Sequence, residues 1–235
     1  MSVHTVIKKE IHAKASSQRA EVSARFFKTK PGEYGAGDIF IGLTVPDCRL
    51  IAKKYIHLTF TEIEKLLTSK IHEERLIALL ILVSQYQSSN KDDKTKIFKF
   101  YLSHTKCINN WDLVDISADK IIGDYLYNKP LSTLKKLAKS KNLWEKRIAI
   151  IATFNFIKQG QAEPTYSLVT ILIKDQHDLI HKACGWMLRE AGKRVSLVDL
   201  KIFLNKYLDI MPRTMLRYAI EHFPEIERKR FLAKD

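Results

Sequence analysis

The feature that most constrains the fold is a long apolar helical segment that recurs at intervals of 33 to 37 residues. In residues 72–87, apolar side chains recur three and four residues apart, which predicts a helix that is buried on most sides. Similar segments begin at Asn109, Asn142, Asp178 and Met211. A shorter amphipathic segment precedes each long one, and a short helix followed by a long helix at this period is typical of an α-solenoid. We therefore predict an all-α fold.

The chain is predicted to form a single domain over residues 1–235. An N-terminal helix is expected over 6–28, a glycine-rich loop over 29–45, and helical repeats over 46–225. The loop contains GEYGAGD, whose glycine spacing fits no phosphate-binding P-loop, so it is interpreted as a connection. The β-rich run IFIGLTV is interrupted by Gly42 and predicts a loop or the entry to a short helix.

Charge indicates the kind of partner. Forty Lys and Arg residues against 26 Asp and Glu residues give a net charge of +14 and a pI near 9.6. Such a balance favours a polyanion, with nucleic acid first, although anionic lipid or solubility alone would also fit it. No apolar run is long enough to span a membrane, and the first residues do not form a signal peptide. Three cysteines without CxxC spacing favour a reducing compartment, and a cytoplasmic location is expected.

Four residues on the long helices are candidates for chemistry. Trp111 and Asp115 are four residues apart and therefore share one helix face. When the long helices are aligned from their starts, Arg147 falls nearly level with Asp115, and Trp186 lies about one turn further along. We expect these four to form one ridge on a basic concave face. Taken singly, each also has a structural explanation: core packing for the tryptophans, a helix-dipole interaction for the carboxylate, and an ion pair for the arginine.

Other kinds of site find little support. His177 and His181 are four residues apart, but no carboxylate cluster accompanies them. There is no HExxH and no GxSxG motif, so no metal and no cofactor are expected. Trp144 opens its helix and is expected to pack against a neighbouring repeat, and the cysteines are expected to be small core residues.

Six runs of sequence resemble the AlkD-like family of DNA alkylation repair glycosylases, in the same order over about residues 20–225. The runs are GEYGAGDIFIGLTVPDCR, HEERLIALLILV, NNWDLVDISADKIIGDYL, LWEKRIAIIATFNFI, DLIHKACGWMLREAGKR and MPRTMLRYAIEHF. The most specific elements are W-x-x-x-D and GWMLRE. The resemblance implies an α-solenoid of HEAT-like repeats that removes positively charged N3- and N7-alkylpurines from duplex DNA without extruding the base.

The resemblance also implies roles for individual residues. Asp115 matches the catalytic carboxylate of the family, Trp111 and Trp186 match its two cleft tryptophans, and Arg147 matches its cleft arginine. Arg189 matches a position that faces the DNA backbone.

The chemistry of such a lesion explains why these residue types suit it. An N3- or N7-alkylated purine is already cationic, so it leaves as a neutral base without a general acid. The barrier lies in the sugar, where a carboxylate such as Asp115 stabilises the developing oxocarbenium charge. Indole faces attract a cationic nucleotide, and a guanidinium such as that of Arg147 binds phosphate oxygens. No histidine lies within one turn of Trp111, Asp115 or Arg147 in the sequence, so neutral lesions are not expected to be excised.

The sequence therefore predicts a monofunctional, monomeric DNA glycosylase that acts on double-stranded DNA containing alkylated purines. Four further cations are expected to contact phosphates: Lys182, Arg189, Arg213 and Arg217. Two alternatives remain open. One is a non-catalytic paralogue that binds DNA structures, and the other is an α-solenoid scaffold for an acidic protein partner.

Overall fold

The computed structural model describes residues 3–233 of the chain and is 72% helical. Among these described residues there is no β-strand, and one parallel bridge joins Ile39 to Ile71. The predicted all-α fold is confirmed. None of the helices in this part of the chain is long and apolar enough to cross a membrane.

The chain divides into two compact units, Met1–Ser117 and Ala118–Asp235. The α-helices of the first unit are α1 (Val3–Ala13), α2 (Ser17–Phe26), α3 (Val45–Lys54), α4 (Phe60–Leu67), α5 (His72–Ser88), α6 (Lys91–Ser103) and α7 (Trp111–Ala118). Helix α7 ends one residue beyond the boundary between the units. Helices α3 and α4 pack against α5, which is buried along most of its length as predicted.

The second unit begins with a π-helical segment, Asp119–Gly123, that continues α7. Its α-helices are α8 (Asp124–Leu126), α9 (Ser132–Ala138), α10 (Leu143–Lys158), α11 (Glu163–Leu172), α12 (Asp178–Arg194), α13 (Leu197–Tyr207), α14 (Arg213–Ala219) and α15 (Glu225–Leu232). Helix α12 packs against both α10 and α14. A shorter helix precedes α10 and α12, as predicted, whereas α14 is shorter than α13. The single domain over 1–235 stays a prediction.

The predicted N-terminal helix over 6–28 is wrong, because this stretch forms two helices. Helix α1 ends at Ala13, and the Ser16 hydroxyl accepts from the Arg19 backbone N–H to cap α2. The Ser16 N–H donates to the Ile41 carbonyl oxygen at 2.8 Å instead of continuing a helical ladder. A serine that offers both a cap and a non-helical backbone is a frequent cause of such a break.

The run Ile39 to Val45 is a loop that leads into α3, as predicted. Its backbone donors are used by the buried carboxylate of Glu73, which accepts from the N–H groups of Ile41, Gly42 and Leu43 at 2.8–3.3 Å. Since a side chain satisfies these donors, the run cannot use them to pair as a strand.

Two of the predicted helix starts can be compared directly with the structure. Asn142 caps α10 by accepting from the Trp144 N–H at 2.8 Å, which confirms that prediction. The segment predicted to begin at Asp178 is α12, which begins at that residue, and its cap is His177, whose Nδ1 atom accepts from the Leu179 N–H.

Candidate functional site

Helix α7 presents Trp111 and Asp115 one turn apart, and both side chains are half-buried. The indole of Trp111 stacks on the ring of Phe27, with 5.2 Å between centroids and 21° between planes. The ring of Phe26 meets the same indole edge-on at 5.9 Å and is 63% exposed. Trp111 therefore has aromatic support from the end of α2 and the residue that follows it.

The stack behind Trp111 extends further into the first unit. Phe27 stacks on Phe40 at 4.9 Å, and Phe40 stacks on the imidazole of His72 at 4.4 Å. Because planar rings in contact restrict each other's rotation, the column fixes the plane of the Trp111 indole.

His72 lies between two carboxylates and is only 2% exposed. Its Nε2 atom is 2.8 Å from Oδ2 of Asp112, and its Nδ1 atom is 3.2 Å from Oδ2 of Asp38. Burial alone would lower the pKa of His72, but the hydrogen bonds to Asp112 and Asp38 outweigh it and raise the pKa above its ordinary 6.5. The two carboxylates therefore favour the charged form of the imidazole.

Asp38 is the centre of this buried network. Besides His72, its carboxylate accepts from Nη2 of Arg75 at 2.7 Å and from Nδ2 of Asn110 at 3.1 Å. Burial favours a raised pKa for Asp38, but the hydrogen bond from His72 and the charge of Arg75 hold that pKa below its usual 3.8. A fully paired carboxylate of this kind is an anchor for the elements that contact it.

The network ends at the first turn of α7. Oδ1 of Asn110 accepts from the Trp111 N–H at 2.8 Å, and Oδ1 of Asp112 accepts from the Leu113 N–H at 2.9 Å. These N–H groups have no partner within the helix, so the network supplies the acceptors that the start of α7 requires.

In the second unit, Arg147 is buried on α10 with 5% exposure. Its Nη1 atom donates to the carbonyl oxygen of Leu179 at 2.7 Å, and this bond connects α10 to the first turn of α12. Trp144 is buried near the start of α10, in agreement with its predicted packing role.

Trp186 is half-buried on α12, and its ring contacts Phe154 at 6.0 Å. The guanidinium of Arg194 lies 5.4 Å from the same Phe154 ring and donates to Glu190 at 2.7 Å. Burial would raise the pKa of Glu190, but Arg194 and Arg189, together with a hydrogen bond from Trp186, keep it below its ordinary value. The indole of Trp186 is thus held by an aromatic ring and a charged carboxylate.

The four cations predicted to contact phosphate differ in their surroundings. Lys182 pairs with Asp178 at 2.7 Å. Arg189 pairs with Glu221 and lies 3.5 Å from Glu190. Two residues differ from this pattern: Arg213 donates to the Leu232 carbonyl oxygen, and Arg217 is exposed.

In the described part of the chain, no group of three or more His, Cys, Asp or Glu side chains is arranged to hold a metal ion. His177 caps α12, and the Nε2 atom of His181 lies 2.5 Å from the Asp175 carbonyl oxygen. Cys48 and Cys184 are buried free thiols, as predicted, whereas Cys107 is only half-buried and departs from that prediction. Burial raises the pKa of Cys48 to about 12.

The residues that support Trp111 carry no signal in the sequence that marks them as functional, and they are Phe26, Phe27, Asp38 and His72. Asp38 ends the GEYGAGD run within the glycine-rich loop, and His72 is the first residue of the apolar helix α5, so both lie in segments that were recognised but given no functional role. The expectation that no histidine lies near the Trp111 segment holds only along the chain, since His72 bonds directly to Asp112. Both nitrogens of His72 face carboxylates, so the ring is not free to protonate a leaving base.

The comparisons with known proteins agree with this architecture. The family model of the DNA alkylation repair enzymes matches residues 7–223, and the chain belongs to that family. A solved structure described as a predicted DNA alkylation repair enzyme from Enterococcus faecalis superimposes with a TM-score of 0.69, at 15% sequence identity. The match covers 90% of this chain and 98% of that one, and at this identity it shows a shared fold. No curated protein matches the sequence.

Proposed function

We propose that the protein is a monofunctional DNA glycosylase that excises positively charged N3- and N7-alkylpurines from duplex DNA. Its family places it in DNA alkylation repair. The observation that carries the proposal is the pair on α7: a half-buried carboxylate one turn after a half-buried indole whose plane is fixed by stacked rings. A fixed charge and a fixed π-face suit a reaction whose transition state is a cation.

In the proposed mechanism, the cationic purine departs with the electrons of the glycosidic bond and becomes neutral. The sugar gains oxocarbenium character, which the negative charge of Asp115 stabilises while it orients the attacking water. The water adds at C1′, loses a proton to solvent, and leaves an abasic site. No protein nucleophile is required, so the strand is not cleaved.

The remaining assignments follow the family resemblance. Trp186 contributes a second indole face, and Arg147 together with Lys182, Arg189, Arg213 and Arg217 serves phosphate groups. HEAT-like repeats in a curved α-solenoid with a basic concave face are part of the same proposal. It also includes action as a monomer in the cytoplasm. The burial of Arg147 means that it reaches a phosphate only where its Nη1 bond to Leu179 leaves other donors available.

The decisive experiment is single-turnover release of base from duplexes that differ only in the lesion. N7-methylguanine and N3-methyladenine should be released, whereas uracil and hypoxanthine, which are neutral, should not. Asp115→Asn should slow release by about 10²–10³-fold, the usual effect of removing one such electrostatic group. The exposed Asp209, changed to Asn, is the matched control and should retain the wild-type rate.

Each outcome has a defined meaning. If Asp115→Asn releases the base at a rate within threefold of wild type, Asp115 does not take part in catalysis. Efficient release of a neutral base contradicts the charge-based mechanism. If the protein binds duplex tightly but releases no lesion, the non-catalytic DNA-binding paralogue is favoured. If it neither binds duplex nor releases a lesion, the protein-interaction scaffold is favoured.

A further inference from the structure

The network that joins α5, the glycine-rich loop and α7 contains more charge than packing alone requires. Four charged side chains take part: Asp38, His72, Arg75 and Asp112. Three of them are buried, and burying charges is costly unless each is paired in good geometry. An apolar cluster of similar volume would hold the same elements together, so the arrangement calls for a functional explanation.

The geometry determines the charge of His72. A neutral imidazole carries one N–H, so one of its nitrogens would direct a lone pair at a carboxylate. Here Nδ1 and Nε2 each lie within 3.2 Å of a carboxylate oxygen, and both must donate for the two contacts to be favourable. The charged groups around His72 are Asp38, Asp112 and the nearby Arg75. Because two of them are negative and one is positive, their combined charge favours the imidazolium form of His72.

We propose that His72 is a positioning residue for base excision, a cation that fixes the first turn of α7 by binding Asp38 and Asp112 at once. This inference rests on the proposed function of Trp111 and Asp115. Three connections lead from His72 to the first turn of α7. Asp112 joins it to the Leu113 N–H, and Asp38 with Asn110 joins it to the Trp111 N–H. The third passes through the rings of Phe40 and Phe27 to the Trp111 indole.

His72 does not touch the reacting atoms in this scheme. Its effect is on the position of the indole and, one turn later, of the Asp115 carboxylate. If the Asp115 carboxylate is displaced slightly from the sugar that develops positive charge, the excision rate falls strongly. The affinity for duplex changes little, because it comes mainly from contacts with phosphates. A positioning role therefore predicts a fall in the excision rate with little change in Kd for undamaged duplex.

The first test compares His72→Gln with wild type in single-turnover excision of N7-methylguanine. Glutamine can donate to one of the two carboxylates but presents its own oxygen to the other, so one of the contacts with Asp38 and Asp112 is lost. We expect the rate to fall about tenfold or more while Kd for undamaged duplex stays within twofold. His104→Gln is the matched control, because His104 likewise contacts an aromatic ring (Phe100, 4.2 Å between centroids) and bonds a carboxylate (Glu64, 3.0 Å), but it lies just after α6, away from α7.

A second variant covers the case in which His72→Gln fails to fold. Asp112→Asn keeps the shape of the side chain but removes the negative charge that binds the His72 imidazolium, so the contact that fixes the first turn of α7 is weakened at this end. The rate should fall while the melting temperature changes little. A wild-type rate in a folded variant of either kind overturns the inference.

The charge itself is read by ¹⁵N NMR of the imidazole in wild-type protein without DNA. Two protonated ring nitrogens at pH 7.5 are expected, and a neutral ring overturns the inference whatever the activity. If wild type excises no lesion, the proposed function fails, while the NMR result still shows whether His72 is charged between Asp38 and Asp112. If wild type excises and His72→Gln matches it, only the inference fails.

Discussion

At the scale of single residues, the two tryptophans and Asp115 should contribute unequally to excision. An indole face attracts a cation by about 0.5–2 kcal/mol, which corresponds to roughly 2–30-fold in rate. We expect Trp111→Ala and Trp186→Ala each to slow release of N7-methylguanine by this amount, less than Asp115→Asn does. Single-turnover rates of the three variants provide the comparison. A tryptophan variant as slow as Asp115→Asn would mean that the indole does more than attract charge.

Glu221 is the residue expected to limit duplex affinity. Its carboxylate pairs with Arg189, the side chain proposed to face the DNA backbone, and would compete with phosphate for the same guanidinium. Glu221→Gln should tighten binding of undamaged duplex about two- to fivefold, the range of a partly exposed ion pair. The control is Glu227→Gln, which also removes one negative charge but releases Lys201 instead. Equal effects of both variants would show that only net charge matters.

The charged state of His72 should make stability depend on pH. Its folded pKa is raised above the 6.5 of the unfolded chain. The stabilisation is therefore complete below about pH 6.5 and is lost as pH rises through the folded pKa. We expect the free energy of unfolding to decline on this alkaline side in wild type and to be flatter in His72→Gln. Urea titrations between pH 6 and 9 measure it, and parallel curves for the two proteins would contradict the expectation.

At the scale of elements, α2 depends on a close backbone approach at Gly42. None of the α2 residues is buried, and the helix start meets the loop where Gly42 has φ of +82°. A Cβ at this position would lie 2.2 Å from the Ser16 carbonyl oxygen. Only a glycine allows the loop to pass there, which explains how a helix without buried residues is kept in place beside Trp111.

Gly42→Ala should therefore be more harmful than an alanine at an unobstructed glycine. Gly32 has φ of +83° with nothing within 4 Å of the added carbon. Gly32→Ala should cost about 1–2 kcal/mol from the left-handed backbone alone. Gly42→Ala should lose about a further 1–3 kcal/mol because the backbone must shift. Urea unfolding measures both, and equal losses would show that the loop yields without cost.

At the scale of the whole molecule, the net charge of +14 should appear in the salt dependence of DNA binding. Each neutralised phosphate contributes a slope of about −0.9 in log K against log[salt]. We expect a slope steeper than about −2 for undamaged duplex, measured by fluorescence anisotropy between 50 and 200 mM salt. A shallower slope would mean that the basic residues serve something other than DNA.

The sequence by itself determined the helical content and much of the order of the helices. These properties depend on local information: apolar residues at three- and four-residue spacing, caps such as Asn142, and the proline in the first turn of α3. The pairing of Trp111 with Asp115 on one face is local in the same sense, since four residues make about one helical turn. The break at Ser16 was missed because a cap inside a polar segment differs little from a helix interior in sequence.

Only the tertiary structure decided which residues surround Trp111. His72 and Asp112 are 40 residues apart, and Asp38 and Asn110 are 72 apart, yet each pair is in hydrogen-bond contact. Helical periodicity specifies the face on which a side chain lies but carries no information about which distant segment packs on that face. That choice depends on how the glycine-rich loop folds over α5. The path of the loop is set by hydrogen bonds from its backbone to Glu73 and by the close backbone contact at Gly42, and no periodic pattern in the sequence encodes either.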